Sequence, residues 1–274
     1  MFISVIIPTC NRLVLLSKCL DCLRADFQKT ENDRYEVIVT DDSKNNKTEK
    51  MIADKYQWVT CAKGPQKGPA ANRNNGAKSA KGEWLIFLDD DVIPDAGLIS
   101  EYIKGITDNP DSLAFEGTIL PDNEKLLKKD MAECPVNTTG GYFWSANICV
   151  NKWLFKQVGG FDESFSIAAQ EDQYLYYLLK KQTNIKFLAP AKVTHPVKFI
   201  ALKNKLKNNI TAVSNWALYC SKQSMSKYKI IQQGYAFQCR SLLKNLYFLK
   251  IKSAILNCHT LLIALPYFIF KHDK

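Results

Sequence analysis

Residues 82–91 read GEWLIFLDDD, in which an unbroken apolar run over residues 84–88 is followed by three aspartates. A short apolar run without polar alternation, preceded by glycine, is typical of a strand buried on both faces of a sheet. The aspartates then stand where apolar packing stops. We therefore predict a strand over residues 84–88 with a carboxylate cluster at its carboxyl end.

Two earlier segments repeat this arrangement. Residues 2–7 and 36–40 read as buried strands, and helical patterns over residues 13–23 and 47–56 follow them. A short strand near residues 58–61 and a helix over residues 70–80 come next. Polar side chains stand at the carboxyl end of both strands: Thr9 and Asn11, then Asp41 and Asp42. Alternating strands and helices predict a mainly parallel α/β sheet flanked by helices, which binds ligands at the carboxyl ends of its strands.

The chain divides into two parts near residue 198. Before that point we predict further strands and helices, and a mobile loop: strands over 112–120, 142–150 and 185–188, helices over 152–158 and 171–181, and the loop over 120–139. After it, strand signals stop and lysine-rich helical patterns take over. We predict an α/β domain over residues 1–197 and a basic amphipathic helical tail over residues 198–274.

Charge is concentrated in the tail. The 274-residue chain is 46% hydrophobic, so it can bury a core, and its net charge is +10. Residues 201–274 hold 12 basic residues and one acid, Asp273, so this part carries +11 and the rest −1. The asymmetry favours anionic lipid or nucleic acid as a partner, with a solvated lysine-rich face as the alternative. The apolar residues 254–270 include Pro266 and polar residues, which favours an interfacial helix or packing onto the body over a membrane span.

Cysteine usage favours a reducing compartment. The sequence has nine cysteines, an odd number, and its first residues read as a strand rather than as a secretory signal. We therefore expect free thiols and a cytoplasmic protein.

The aspartate cluster is a candidate metal site. Carboxylates this close repel one another unless a cation neutralises them, and Mg²⁺ is often bound by one or two carboxylates plus substrate phosphates. Asp89 and Asp91 can hold such an ion against a diphosphate. A solvated acidic turn is the alternative at this point.

Six segments, in this order and spacing, resemble the family 2 glycosyltransferases of the GT-A fold. They are SVIIPTCN (4–11), VIVTDDS (37–43), GPAANRNNG (68–76), GEWLIFLDDD (82–91), VGGFDE (158–163) and the Glu171-Asp172 pair. The resemblance covers roughly residues 2–197 and implies a GT-A, Rossmann-like sheet. It does not cover the tail.

The resemblance assigns roles to individual residues. The nucleotide-sugar site comprises Pro8, Thr9, Asn11, Asp42, Arg73, Asp89 and Asp90. The metal ligands are Asp91 and Asp89, with His195 as a further ligand or a structural residue. Asp172 matches the general base of inverting members, and Glu171 orients the acceptor or its loop. Tyr174 stands where the family often has an acid, which affects acceptor contacts. Trp144 either stacks on a sugar or belongs to the core.

The implied reaction is an inverting sugar transfer from a nucleotide diphosphate donor. A metal, Mn²⁺ or Mg²⁺, stabilises the leaving diphosphate, and a carboxylate takes the acceptor proton. We expect a UDP-sugar as donor and a glycan or lipid-linked acceptor in surface polysaccharide or glycolipid assembly. The tail is expected to hold the protein at the inner face of the cell membrane. We expect no nucleic-acid partner.

Other classes of protein fit parts of the pattern. A nucleotidyltransferase shares a nucleotide pocket and metal-binding acids, and a haloacid-dehalogenase-like phosphatase also carries aspartates after a strand. The first usually has a glycine-rich basic loop after its first strand, which PTCNR (8–12) is not, and the second places its nucleophile on the first strand. A degenerate transferase-like binding domain is a further alternative.

Overall fold

The computed structural model describes residues 1–31, 34–165 and 167–266. The chain forms two compact units. The first comprises Met1–Asp122 and Pro135–Pro196, and the second comprises Asn123–Cys134 and the chain from Val197 onward. The predicted boundary at residue 198 places residues 123–134 in the α/β domain, whereas in the structure they group with the helical part.

Strands and helices alternate through the first unit. In chain order the strands are β1 Ile3–Thr9, β2 Tyr35–Asp41, β3 Val59–Lys63, β4 Trp84–Leu88, β5 Ile93–Pro94, β6 Ala114–Pro121, β7 Ala132–Glu133, β8 Asn147–Asn151, β9 Ile185–His195 and β10 Lys198–Phe199. The helices are α1 Leu13–Asp21, α2 Ala25–Gln28, α3 Lys47–Lys55, α4 Pro69–Ser79, α5 Leu98–Asp108, α6 Glu124–Leu127, α7 Lys152–Gln157, α8 Glu171–Leu179, α9 Leu202–Lys222, α10 Lys227–Tyr247 and α11 Ile251–His259, which continues as a π-helical turn, Thr260–Ala264.

One eight-stranded sheet forms the centre of the first unit, in the order β3-β2-β1-β4-β8-β6-β9-β5. The pairs β2–β3, β1–β2, β1–β4 and β6–β9 are parallel, and β8 runs antiparallel to both β4 and β6. The predicted α/β class is confirmed. Because β1, β2 and β4 are parallel neighbours, their carboxyl ends lie side by side.

The apolar runs became strands because both faces of the sheet are covered. In β4, Trp84, Ile86 and Leu88 pack into one core, with residues of α1 and α5. Leu85 and Phe87 point to the opposite face and pack with residues of α4, α7 and α8. Side chains alternate between faces along a strand, so a strand covered on both sides needs apolar residues at every position.

Three sequence assignments were wrong in detail. The sequence analysis placed no element at β5 and α5. Residues 142–146 are a turn segment and not the start of β8, and Phe143 has a left-handed φ of 50° that no strand accommodates. β9 continues past residue 188 to His195. A register shift against β6, between Gly117 and Thr118, leaves residues 189–191 unpaired, so Pro190 can lie there without donating a ladder hydrogen bond.

The second unit is mainly helical. Its core contains Val213, Ala217, Cys220, Ile230, Ala264 and Leu265. Asp130 accepts hydrogen bonds from the backbone N–H groups of Lys252 and Ser253 at 2.8 and 3.2 Å, so it caps the start of α11. Of the helix predicted in residues 254–270, positions 267–270 lie outside the described residues.

An apolar tip connects α10 and α11 in this unit. We define it by Tyr247, Phe248, Leu249 and Ile251, which are all more than half exposed. Lys244, Lys250 and Lys252 lie beside it in the sequence. Within the described part of the chain, the helices lack the combination of length and apolar character that a membrane crossing requires. All nine cysteines are free thiols, as expected.

Candidate active site

Asp90 faces the end of β1. Its Oδ2 accepts a hydrogen bond from Thr9 Oγ1 at 2.7 Å, and its Oδ1 lies 2.9 Å from Arg12 Nη1. Burial raises the pKa of Asp90 to about 6, although the contacts with Thr9 and Arg12 act in the opposite direction. The middle aspartate therefore ties β4 to β1, and the Thr9 hydroxyl proton is directed at a carboxylate.

Arg12 places a positive charge beside Asp90 and Asp91, a contact that the sequence did not predict. Its Nη1 also lies 3.0 Å from Asp91 Oδ2, and its side chain is 46% exposed whereas Asp90 and Asp91 are almost fully buried. A guanidinium shared by two carboxylates offsets part of their mutual repulsion. Its position in the sequence could have indicated this role, because Arg12 directly follows Asn11 at the carboxyl end of β1, where the acids were expected to gather.

Asp89, Asp91 and His195 come together as a candidate metal site. One ligand atom from each lies within 4.8 Å of the others. His195 Nε2 lies 3.3 Å from Asp91 Oδ1, and its Nδ1 lies 2.9 Å from the carbonyl oxygen of Pro196. When Nδ1 carries the proton, it donates to the Pro196 carbonyl oxygen, and the lone pair of Nε2 then faces the Asp91 carboxylate. A cation between Nε2 and this carboxylate would remove the repulsion between the two lone-pair groups. Two carboxylates and one imidazole suit a divalent cation.

Arg73 joins this cluster to a second pair of acids. Its Nη2 lies 2.8 Å from Asp89 Oδ1 and its Nη1 lies 3.1 Å from Glu171 Oε1. Arg73 comes from α4, whereas Glu171 is the first residue of α8. Arg73 Nε and Glu171 Oε2 are buried without a hydrogen-bond partner among the described residues. A buried polar atom without a hydrogen-bond partner costs free energy, so these two atoms indicate a site where a bound polar group supplies the missing partners.

Asp172 is a buried carboxyl that titrates near neutral pH. Burial and the neighbouring Glu171 raise its pKa to about 7. Arg73 contacts Glu171 directly, so Asp172 is the member of the pair that takes a proton more readily. Its Oδ1 accepts from Gln173 N at 2.7 Å, and its Oδ2 lies 3.5 Å from Ser145 N. A carboxylate with this pKa is suited to accept a proton at physiological pH.

The remaining predicted residues lie at the carboxyl ends of β1 and β2. Asp42 N donates to Thr9 O at 2.9 Å, and Asp42 Oδ1 accepts from Gln66 N at 2.8 Å. Asn11 has a left-handed φ of 56° and donates its N–H to Ser43 Oγ at 2.7 Å. Pro8 precedes Thr9 in β1. These contacts bring the two polar strand ends together, as the parallel topology predicts.

Trp144 and Asn147 have different surroundings. The Asn147 side chain accepts from Tyr102 Oη at 2.8 Å and donates to the carbonyl oxygens of Thr118 and Ala191, so it joins three strands. Trp144 is partly buried against the core and stacks on Tyr142, with ring centroids 6.1 Å apart and planes 18° apart. Asn147 is thus a structural residue, and Trp144 supports a more exposed ring.

Comparison with known proteins identifies the class. The family model for glycosyl transferase family 2 matches residues 4–174. The chain therefore belongs to glycosyl transferase family 2, and the resemblance found in the sequence is confirmed. The S. aureus protein TarS, crystallised as residues 1–349 with UDP-GlcNAc, matches with a TM-score of 0.61 at 16% identity, over 94% of this chain and 91% of that one. At this identity the match supports the fold, which is GT-A.

Sequence relatives are glycosyltransferases of several kinds. The chain is 35% identical over 109 residues to the GalNAc(5)-diNAcBac-PP-undecaprenol beta-1,3-glucosyltransferase of Campylobacter jejuni, a stretch that covers 37% of this chain and 33% of that enzyme. It is 25% identical over 228 residues to an uncharacterized glycosyltransferase of Haemophilus influenzae, covering 78% of this chain and 72% of that protein. A poly(ribitol-phosphate) beta-glucosyltransferase of Bacillus spizizenii is 35% identical over 37% of this chain and 17% of its own length.

Proposed function

We propose that this protein transfers a sugar from a nucleotide diphosphate donor to an acceptor hydroxyl, with inversion at the anomeric carbon. The observation that carries the proposal is the buried bridge of Arg73 between Asp89 and Glu171. It connects Asp89, a proposed metal ligand, to Glu171, the neighbour of the proposed base Asp172. Inverting transfer needs these two functions at a fixed separation, because donor and base act on opposite sides of the transferred sugar.

The donor site is proposed at the ends of β1, β2 and β4. Asp89, Asp91 and His195 would hold Mn²⁺ or Mg²⁺, which neutralises the charge that develops on a leaving diphosphate. Pro8, Thr9, Asn11 and Asp42 line the same edge and are assigned to the nucleoside. Arg73 orients Asp89, and Asp90 fixes the turn against β1. A UDP-sugar is the proposed donor, and TarS, which shares the fold, has been crystallised with UDP and with UDP-GlcNAc.

Asp172 is proposed as the general base. As a carboxylate it accepts the proton of the attacking hydroxyl while that oxygen bonds to the anomeric carbon and the bond from this carbon to the diphosphate breaks, so no free alkoxide is formed. The Ser145 N–H and the first turn of α8 hold Asp172 in position. The contact with Arg73 favours the charged form of Glu171, and Asp172 has no such direct contact, so Asp172 is the proposed proton acceptor of the pair.

The acceptor is proposed to be a glycan or a lipid-linked saccharide at a membrane surface, as in polysaccharide or glycolipid assembly. The Campylobacter relative bears the name of an undecaprenol-linked substrate. The second unit offers an apolar tip flanked by lysines, the combination that binds anionic bilayers at their interface. We propose peripheral attachment to the inner face of the cell membrane through this unit, with no nucleic-acid partner.

A donor panel tests the proposed reaction. Nucleotide sugars with UDP, dTDP and GDP bases are screened with Mn²⁺ or Mg²⁺ for thermal stabilisation, since ligand at 100 times its Kd adds about 2.7 kcal/mol. The stabilising donor is then assayed for the released nucleotide. We expect release of nucleoside diphosphate. Pyrophosphate or monophosphate release would indicate a nucleotidyltransferase or phosphatase, and binding without turnover would indicate a degenerate domain.

A further inference from the structure

A buried carboxylate outside the acid clusters organises the loop beside Asp172. Glu116, on β6, is 3% exposed. It accepts hydrogen bonds from four donors: Gly141 N at 2.5 Å, Tyr142 N at 3.1 Å, Phe143 N at 2.8 Å and Asn137 Nδ2 at 2.9 Å. A buried carboxylate is costly to desolvate unless donors satisfy it. Glu116 therefore stabilises one conformation of residues 137–143.

At Phe143 that conformation is one that the backbone does not prefer. Phe143 has a left-handed φ of 50°, whereas the φ values of 79° and 92° at Gly140 and Gly141 are ones that glycine adopts readily. For a residue with a side chain such as Phe143, the left-handed region costs of order 1–3 kcal/mol and persists only where the surroundings enforce it. The Phe143 ring is fully buried and stacks on Tyr176 at 5.3 Å, which anchors the loop from below.

The loop presents an aromatic face to solvent. Tyr142 is 45% exposed and lies against Trp144 in a near-parallel stack. The Tyr142 carbonyl oxygen accepts from Gln173 Nε2 at 2.7 Å, and Ser145 N lies 3.5 Å from Asp172 Oδ2. Residues 142–145 thus lie across the first turn of α8, next to the base. A ring held in place before binding loses little entropy when it contacts a ligand.

We propose that Tyr142, backed by Trp144, is the stacking face of an acceptor subsite for a pyranose ring, and that Glu116 is its positioning residue. The inference rests on the proposed function. Pyranoses present C–H faces that pack on aromatic rings. The subsite belongs to the acceptor and not to the donor, because the loop contacts Asp172 and Gln173, whereas the proposed donor ligands lie at the other end of the Arg73 bridge.

Glycan binding by Tyr142 variants tests the subsite. The wild type, Tyr142→Phe and Tyr142→Ala are applied with UDP and Mn²⁺ to an array of pyranose oligosaccharides, and hits are titrated. We expect Tyr142→Ala to weaken binding about tenfold and Tyr142→Phe by less than about twofold, since phenylalanine keeps the ring face. Tyr228→Ala, which removes a tyrosine that is 76% exposed in α10, is the matched control.

Donor titration separates failure of this inference from failure of the proposed function. A wild type that neither binds nor turns over nucleotide sugars contradicts the proposed function itself. If donor turnover is present, two results overturn the subsite: glycan binding by Tyr142→Ala equal to that of the wild type, or no glycan bound by the wild type.

Glu116→Gln tests the positioning role. Its amide nitrogen cannot accept hydrogen bonds, so part of the loop loses its partner. We expect weaker glycan binding and a raised KM for the acceptor, with the Kd for the donor within about twofold of wild type, because the donor side of the site is untouched. Glycan binding equal to that of the wild type, or an equal loss of donor and glycan binding in a variant that keeps the Tm of the wild type, would overturn the assignment.

Discussion

The candidate active site and the apolar tip of the second unit differ in how their charges are arranged. At the site, Asp91, Arg73 and Glu171 are buried, and each lies within about 3 Å of an oppositely charged group. At the tip, lysines flank exposed apolar side chains in the sequence. Buried pairs depend on geometry at the level of single atoms, and removal of one partner leaves an uncompensated charge. Exposed charges are screened by salt, and each contributes little by itself, so the lysines act through their combined attraction to an anionic surface.

The largest effect is expected from Asp172→Asn, which should separate the loss of the proposed base from the loss of donor binding. Asp172→Asn keeps the shape of the side chain but cannot accept the proton, so we expect transfer to fall roughly 10²–10⁴-fold. Donor binding should stay within about twofold of wild type, because the metal cluster is unchanged. Turnover and donor titration measure the two quantities. Full activity in this variant would show that another group is the base.

Asp91→Ala tests the other half of the site. Loss of this buried, proposed metal ligand should weaken Mn²⁺-dependent donor binding about 10²-fold or more. Isothermal titration with and without Mn²⁺ measures it, and Asp54→Ala, an exposed aspartate in α3, is the control. Unchanged Mn²⁺ dependence would remove Asp91 from the metal site.

The apolar tip should respond less than the candidate active site does, even to a double substitution. Replacing both Phe248 and Leu249 with glutamate removes apolar contact area and adds negative charge, so we expect about tenfold weaker binding to vesicles that contain anionic lipid. Salt should weaken wild-type binding as well. Trp153→Glu, at a 62% exposed tryptophan in the first unit, is the matched control. Equal sedimentation of the double variant and wild type would contradict the membrane assignment.

Arg12→Ala sharpens the account of the acid cluster. Arg12 competes with any cation for Asp91, so its removal should raise the affinity for Mn²⁺ alone by about three- to tenfold. Electron paramagnetic resonance of free Mn²⁺ reports this without donor or turnover. Arg24→Ala, which removes an exposed pair with Asp26, provides the comparison. Weaker Mn²⁺ binding would mean that Arg12 organises the site rather than competing for it.

The smallest expected effect is on stability. The folded-state pKa of Asp172, about 7, exceeds its ordinary value of 3.8, so the folded protein binds this proton more tightly than the unfolded chain. Stability from this group is full below the unfolded pKa and declines as pH rises, until it is lost above about pH 7. Asp172→Asn should therefore raise Tm by a few degrees at pH 8 and by less at pH 5, as measured by calorimetry. In wild type, kcat/KM should rise with pH through about 7. A Tm difference that shrinks with rising pH would contradict the sign.

Sequence reasoning predicted which residues gather at the candidate site because strand ends carry a local signal. The runs before Thr9, Asp42 and Asp89 are apolar at nearly every position, and parallel pairing then places their ends together. It failed where long-range contacts decided the conformation. Residues 142–146 look like a strand, but Glu116 holds residues 141–143 in a turn through their N–H groups. Nothing near residue 142 in the sequence indicates a partner on β6.

The sequence by itself determined the α/β class, the family and the acids that gather at one edge, because apolar periodicity and motif order are properties of short segments. Only the tertiary structure decided which charges meet. The bridge of Arg73 to Asp89 and Glu171, the contact of Arg12 with Asp90 and Asp91, and the hydrogen bonds of Glu116 to the backbone of residues 141–143 all join residues that are distant in the sequence. Their energies depend on distances of a few ångströms, and those distances exist only once the sheet has brought the elements together.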